Sequence, residues 1–234
     1  MEVHHHPDLQ HKKKNFKEYF LEFLMIFLAV TLGFFAEQVR ENFADHEREK
    51  EYMKSMVEDL KSDTALLSLN IHARNLRNEM VDSLIYLLSA SDLHKNGNDI
   101  YYLARVLSPP LNIFPNDRTI QQLKGSGSLR LIRNMPVSNS IMAYDQKMRQ
   151  LLFELTDEIQ IRAEYRQLAD KIFNGNIFNK MINANGIIKP VDNPQLFNTD
   201  AATINAFTVE VQYLKNANRA EENREKELMY RLNN

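Results

Sequence analysis

The chain of 234 residues contains no cysteine. Disulfides and thiolate chemistry are therefore excluded, and the chain suits either side of a bacterial inner membrane. Only 6 glycines and 7 prolines occur, too few for a turn-rich β fold but suited to long uninterrupted helices. The formal net charge of −2 gives neither the basic surplus that nucleic acid attracts nor the acidity of a disordered chain. No internal repeat is present, and catalytic signatures are also missing. Outside the N-terminal tail the histidines are His46, His72 and His94, and no two of them form the HxxxH pair that would hold a metal on one helix face. The carboxylate pairs Glu58-Asp59 and Asp157-Glu158 are expected on solvated helix surfaces. No catalytic residue, cofactor or metal ligand is assigned, and the chain reads as a non-enzyme.

What the chain does have is one long apolar run, YFLEFLMIFLAVTLGFFAEQ, at residues 19–38. Phe23 to Ala36 is free of charge for fourteen residues, about 21 Å of helix at roughly 1.5 Å per residue. Starting from Tyr19 extends it to about 27 Å, close to a hydrocarbon core of about 30 Å. Glu22 then falls about one turn inside the boundary, where a carboxyl can reach headgroups or be neutralised; an ionisable group deeper in lipid costs more and usually has a function. A cleavable signal is disfavoured because bulky Phe34 occupies the −3 position before Ala36. A soluble core helix is disfavoured because Leu24 to Leu32 offers no polar face beyond Thr31. The reading is a transmembrane helix over 19–37, with Ala29 and Gly33 as a small-xxx-small pair that supports helix pairing.

Lys12, Lys13, Lys14 and Lys17 precede the span; Arg40, Arg48, Lys50 and Lys54 follow it. The counts tie, but the first group is compact and lies on a short tail with four histidines. The positive-inside rule then places the 1–18 tail in the cytoplasm and residues 38–234 outside it. His4, His5, His6 and His11 read as a polar tail rather than a metal site.

Beyond the charged stretch EQVRENFADHEREKEYMK, a heptad seam begins. Met53, Val57, Leu60, Thr64, Leu67, Ile71, Arg74, Asn78, Val81, Ile85 and Leu88 follow alternating steps of four and three, and eight of these eleven are apolar. Arg74 and Asn78 interrupt the seam, either to fix register or where a third element covers it less completely. The helix should end near Asp92, before LHKNGND. A short helix over DIYYLARVL is closed by Ser108-Pro109-Pro110. Asn116 or Asp117 caps a helix over Arg118 to Lys124, with Gly125 as its C′ residue. LKGSGSLRLIRN lacks the Gly-Lys-Ser/Thr ending of a phosphate-binding loop and reads as a tight link, Gly125 and Gly127 supplying positive φ. A long helix follows from Pro136 to Phe173, with Val137, Ile141, Tyr144, Met148, Leu152, Leu155 and Ile159 on one face. After an Asn-rich loop, Thr199 or Asp200 caps a last helix with Phe207, Val211 and Leu214 inside. Past Asn216 that helix is polar all round and should be exposed or paired through charges, with Leu228, Met229 and Leu232 as a small terminal contact. The fold class is all-α: a transmembrane helix continuing into a long helix, packed with two further long helices and short connectors as an extracytoplasmic bundle.

Two separated segments carry a family resemblance. Glu22, the apolar run to Ala36, Glu37-Gln38 and Asn42 form the first. TIQQLKGSGSLRLIRN at 119–134, followed by IMAYDQKM at 141–148, forms the second, with Leu123, Gly125, Gly127, Leu129, Leu131, Ile132 and Asn134 as its framework. The chain resembles a family of bacterial single-span membrane proteins of unknown function, with Tyr144-Asp145 where paired aromatics would stand. The resemblance covers about a third of the chain, implies a membrane-anchored helical protein, and transfers no catalytic residue.

The leading expectation is a membrane-anchored scaffold or partner-binding subunit, with the bilayer and a second copy or a membrane protein as partners and no nucleic acid. The alternative is an extracytoplasmic small-ligand sensor, with Tyr101, Tyr102, Phe114 and Arg130 around an anionic ligand and a partner protein supplying the output.

Overall fold

The computed structural model describes residues 15–232; the His- and Lys-rich segment 1–14 lies outside the described residues. Six α-helices dominate these residues: α1 (Phe16–Leu88), α2 (Gly97–Leu107), α3 (Arg118–Gly125), α4 (Met135–Ile172), α5 (Gly175–Lys180) and α6 (Ala201–Leu232). Short 3-10 turns at Leu93–Asn96 and Ser128–Leu131 precede α2 and α4. A two-residue hairpin, β1 (Ile182–Asn183) with β2 (Gly186–Ile187), follows α5. The protein is all-α, as the scarcity of glycine and proline predicts. The chain divides between Glu51 and Tyr52 into two units.

The first unit holds the N-terminal part of α1, through Glu51. An 18-residue window with a mean hydropathy of 2.1 is wholly unburied. Tyr19, Glu22, Phe23, Ala29, Gly33 and Ala36 are all exposed. Thr31, the polar residue within the run, donates its hydroxyl back to the Phe27 carbonyl at 2.7 Å, an internal pairing suited to an apolar solvent. By length and composition, this helix is able to cross a membrane.

The second unit is a bundle, and its side-chain contacts give the directions. Met56 packs with Ile141, and Leu67 with Met148 and Leu151, so α1 and α4 run the same way. Leu228 joins the Leu67 group whereas Phe207, Val211 and Leu214 pack with Val81 and Leu84, so α6 runs opposite to both. A broken return leg separates α1 from α4. Tyr165 of α4 donates to the Ala104 carbonyl at 2.7 Å, Ile113 reaches the Leu67 group, and α3 packs against Met56. Ser108-Pro109-Pro110 breaks this leg because proline removes a donor and restrains the residue before it.

Helix ends follow local chemistry. Asn134 accepts from Val137 N at 3.3 Å and opens α4, and Asp200 accepts from Thr203 N at 2.9 Å and opens α6. For α3 the cap comes from a distance. Asp117 stands at the N-cap but its side chain accepts from Gln121 Nε2 at 3.0 Å and from no helix N–H; instead Asp59 of α1 accepts from both Thr119 N (3.1 Å) and Thr119 Oγ1 (2.6 Å). The residue that turns the chain after α3 is Gly127, with φ of 66°. Gly125 remains inside the helix, so only one of the two glycines has the positive φ expected of both.

The largest apolar cluster joins α1, α2, α4 and α6 and includes Leu84, Ile100, Tyr101, Tyr165, Ile172 and Phe207. Gly97 closes its rim. A Cβ at this position would lie 2.0 Å from the Pro194 carbonyl oxygen, so the loop before α6 needs a glycine there. Thermal unfolding of the full chain in detergent should show Gly97→Ala losing about 1–3 kcal/mol through overpacking. Gly125→Ala, with nothing within 4 Å of the added carbon, should be neutral or gain up to about 1 kcal/mol of helix propensity. Equal effects at the two positions would contradict the close approach.

Candidate functional site

Midway along the bundle the apolar packing stops and charge takes over. Arg74 of α1 is wholly buried, as are Glu158 and Arg162 of α4 and Asn218, Glu221 and Glu225 of α6. Arg74 Nε donates to Glu225 Oε1 at 2.9 Å and its Nη1 to Asn218 Oδ1 at 3.1 Å. Glu158 Oε2 lies 3.6 Å from Arg74 Nη1, and its other oxygen accepts from Arg162. Asn218 Nδ2 returns a bond to the Arg74 carbonyl at 2.8 Å and another to Asn78 Oδ1 at 2.9 Å. One arginine thus holds groups from two partner helices at once. Apolar clusters around Leu67 and Leu84 lie on either side of this layer.

The layer extends to the broken leg. Arg162 donates to the Leu107 carbonyl, Arg77 to the Pro109 carbonyl at 2.7 Å, and Arg166 to the Ser108 carbonyl at 3.1 Å. These carbonyls end α2, where no further turn exists to pair them, and guanidinium groups also complement the negative end of the helix dipole. Burial and the neighbouring Arg162 lower the Arg77 value to about 10. Arg162 is likewise lowered by burial, which the Glu158 carboxylate only partly offsets.

Burial pushes the carboxyls of Glu225 and Glu221 upward, more strongly than Arg74 or Arg224 pulls them down. Among the described residues, Oε2 of Glu158, Glu221 and Glu225 and Nη2 of Arg74 are buried without a hydrogen-bond partner. Arg74 lies among these carboxyls and partly offsets their charge.

A second polar cluster lies beside α3. Asp63 accepts from Asn116 N at 2.7 Å and from the Tyr144 hydroxyl at 2.5 Å. Burial, and then this bond, hold the Tyr144 phenol well above its ordinary range. At Asp59 burial is outweighed by donors from Thr119 and Arg118, and its carboxyl is held below the ordinary range. The two stretches of the second resembling segment, 119–134 and 141–148, meet here. Lys124 reaches Asp145 at 3.0 Å, while Leu123 and Ile132 pack on Ile141, with Leu129 half-buried against them. Leu131 is half-buried on the 3-10 turn between Gly127 and Asn134. Asp145 is buried and also pairs with Arg149 at 2.9 Å; the departure from paired aromatics is thus an ion-paired site.

Several expectations are corrected. Leu60, Leu67, Arg74, Val81 and Leu88 do form one inward column of α1, but the alternate column is Met56, Asp63, Asn70, Arg77 and Leu84. Val57 is exposed, Met53 and Ile85 are half-buried, and Ile71 is buried beside Asn70. The heptad reading sought apolar residues, whereas the true second column carries Asp63 and Arg77, whose partners come from remote parts of the chain, and Asn70, whose buried Nδ2 has no hydrogen-bond partner among the described residues. Asp59 and Glu158 were expected in solvated pairs; both are buried, and only Glu58 and Asp157 face solvent. Ile159 is exposed beside them. The polar end of α6 is internal at Asn218, Glu221 and Glu225 and paired through charge.

The aromatic residues with Arg130 are not brought together. Tyr101 is buried edge-on against Phe173 and Phe178, Tyr102 is half-buried, and Phe114 and Arg130 are exposed. Arg130 lies on the turn whose Ser128 accepts from Tyr52, away from the Tyr101 cluster. Among the described residues no group of three or more His, Asp or Glu side chains could hold a metal ion. No family model, curated protein or solved structure matches the chain.

The raised carboxyls of the ionic layer give a sign to its pH dependence. A carboxyl raised on folding contributes stability that is full below its unfolded value, near 4.3, and lost as pH rises through the native value. Glu225→Gln keeps the bond to Arg74 while mimicking the protonated form. It should therefore match or exceed the wild type at pH 7, with the wild type gaining on it as pH falls toward 5. Melting curves of both chains across this range check it, and a gap independent of pH would contradict the assignment.

Proposed function

We propose that the protein is a membrane-anchored helical subunit that binds a partner protein or a second copy of itself and carries no catalytic activity of its own. The observation that carries this reading is the apolar window of α1, long enough to span and unburied throughout. An uncovered apolar helix face of this length is stable in lipid and costly in water. In this reading residues 19–37 span a bacterial cytoplasmic membrane, the tail 1–18 is cytoplasmic and residues 38–234 are extracytoplasmic. The resemblance to a single-span family supports the same anchoring.

A bundle whose interior polar groups are turned upon one another suits binding through its surface, not chemistry in its core. A ligand sensor centred on Tyr101, Tyr102, Phe114 and Arg130 gains no support, because those side chains do not converge.

Because the chain has no cysteine, topology is testable with one engineered thiol. In intact bacterial cells, exposed Lys171→Cys should react with a membrane-impermeant maleimide without permeabilising the inner membrane, and alkaline carbonate should leave the chain in the membrane pellet. Labelling that requires inner-membrane permeabilisation reverses the orientation. Release by carbonate removes the anchor. Chemical cross-linking in native membranes should capture a second copy or a defined partner; a monomer alone would count against the binding role.

A further inference from the structure

One groove of the bundle differs from the rest. It lies between α1, α4 and the last turns of α6 and encloses about 520 Å³. Met53, Met56 and Leu60 of α1, Val137 and Ile141 of α4, and Leu232 of α6 form its apolar lining. Its volume falls within the roughly 300–1,000 Å³ of small-molecule sites. Two charged residues line it, Lys147 and Arg231, and both are cationic. They share one carboxylate: Glu227 lies 3.1 Å from Arg231 and 4.0 Å from Lys147. The rim thus keeps one positive charge in excess beside an apolar floor. The hydroxyl of Tyr144, another lining residue, is already committed to Asp63 at 2.5 Å and leaves no demand for a polar group deep inside.

We infer that this groove binds a single-chain amphiphile with one anionic end, of the chemistry of a long-chain carboxylate. The hydrocarbon lies along the Met53–Leu60 and Val137–Ile141 walls, and the carboxylate meets Lys147 and Arg231. A guanidinium is suited to a carboxylate because its planar fork can donate two parallel bonds. Methionines in the lining adapt to a flexible chain because the thioether is unbranched and polarizable. A partner helix is a poorer fit: with side chains it is about 10–12 Å across, and a stable protein interface needs roughly 800 Å² on each side. A chain one methylene wide fills the same space with continuous contact.

The test uses the full chain in phosphatidylcholine nanodiscs and a palmitate analogue carrying a diazirine in its chain, with the adducts mapped by mass spectrometry. Adducts are expected on the peptides holding residues 53–60, 137–144 and 228–232. Excess oleate should compete, and oleyl alcohol, lacking the charge, should not. Lys147→Glu with Arg231→Glu changes two solvent-exposed side chains and should lower adduct yield at these peptides roughly tenfold while helicity is retained and the repulsion with Glu227 lowers the melting temperature only slightly. Val137→Trp, which fills the groove, should lower it independently. Adducts confined to residues 19–38 would overturn the proposal, as would equal competition by the alcohol or yields unmoved by charge reversal. Stronger labelling of the same peptides by a diazirine phosphatidylglycerol would overturn the single-chain assignment in favour of a membrane lipid.

Discussion

The bundle depends on how Arg74 is neutralised. A guanidinium removed from water is costly unless carboxylates and carbonyls meet it in good geometry. Here Glu225 and Asn218 come from α6 and Glu158 from α4. Those groups meet only when three helices stand at one register. Sliding α6 by two turns would set Arg74 against the neighbourhood of Leu228 or Asn218 alone, with the glutamates displaced into apolar layers. Apolar clusters on either side tolerate small shifts because dispersion and burial are not directional; the charged layer between them does not. Buried polar residues that define register are best attested in coiled coils.

The same layer accounts for the interruption of the return leg. Ending α2 at Ser108-Pro109-Pro110 leaves carbonyls that no helical turn can pair. Arg162, Arg77 and Arg166 reach them. The excess of arginine over what Glu158, Glu221 and Glu225 require is thus used on main-chain oxygens. Lower in the bundle Asp59 and Asp63 do the converse, accepting main-chain donors at the start of α3. Acid and base on α1 therefore serve the two ends of one broken leg.

Much of this was legible in the sequence, for identifiable reasons. Glycine and proline scarcity pointed to helices, and local signals at Asp200 and Ser108-Pro109 marked their ends because caps and proline act within a few residues. Leu60, Leu67, Val81 and Leu88 were readable as a column because apolar periodicity is local as well. Asp63 and Arg77 were not, since a polar residue signals burial only when its partner is known, and those partners lie dozens of residues away. Glu158 and Asp59 were misread for the same reason. Gly127 could not be separated from Gly125 because both sit in one short link. The apolar run at 19–38 was the clearest signal, and its side chains are indeed uncovered; its orientation in a membrane is set by flanking charge and is part of the proposed function.

The account's central claim, that Arg74 and its carboxylates hold α1 and α6 in register, is tested most directly by a double-mutant cycle on Arg74→Met and Glu225→Leu, read by thermal unfolding of the full chain. Each single change should cost about 3–5 kcal/mol by leaving a buried group unpaired, and the double variant should recover much of that loss, with a coupling of at least about 2 kcal/mol. Strictly additive losses, with a coupling below about 0.5 kcal/mol, would contradict it.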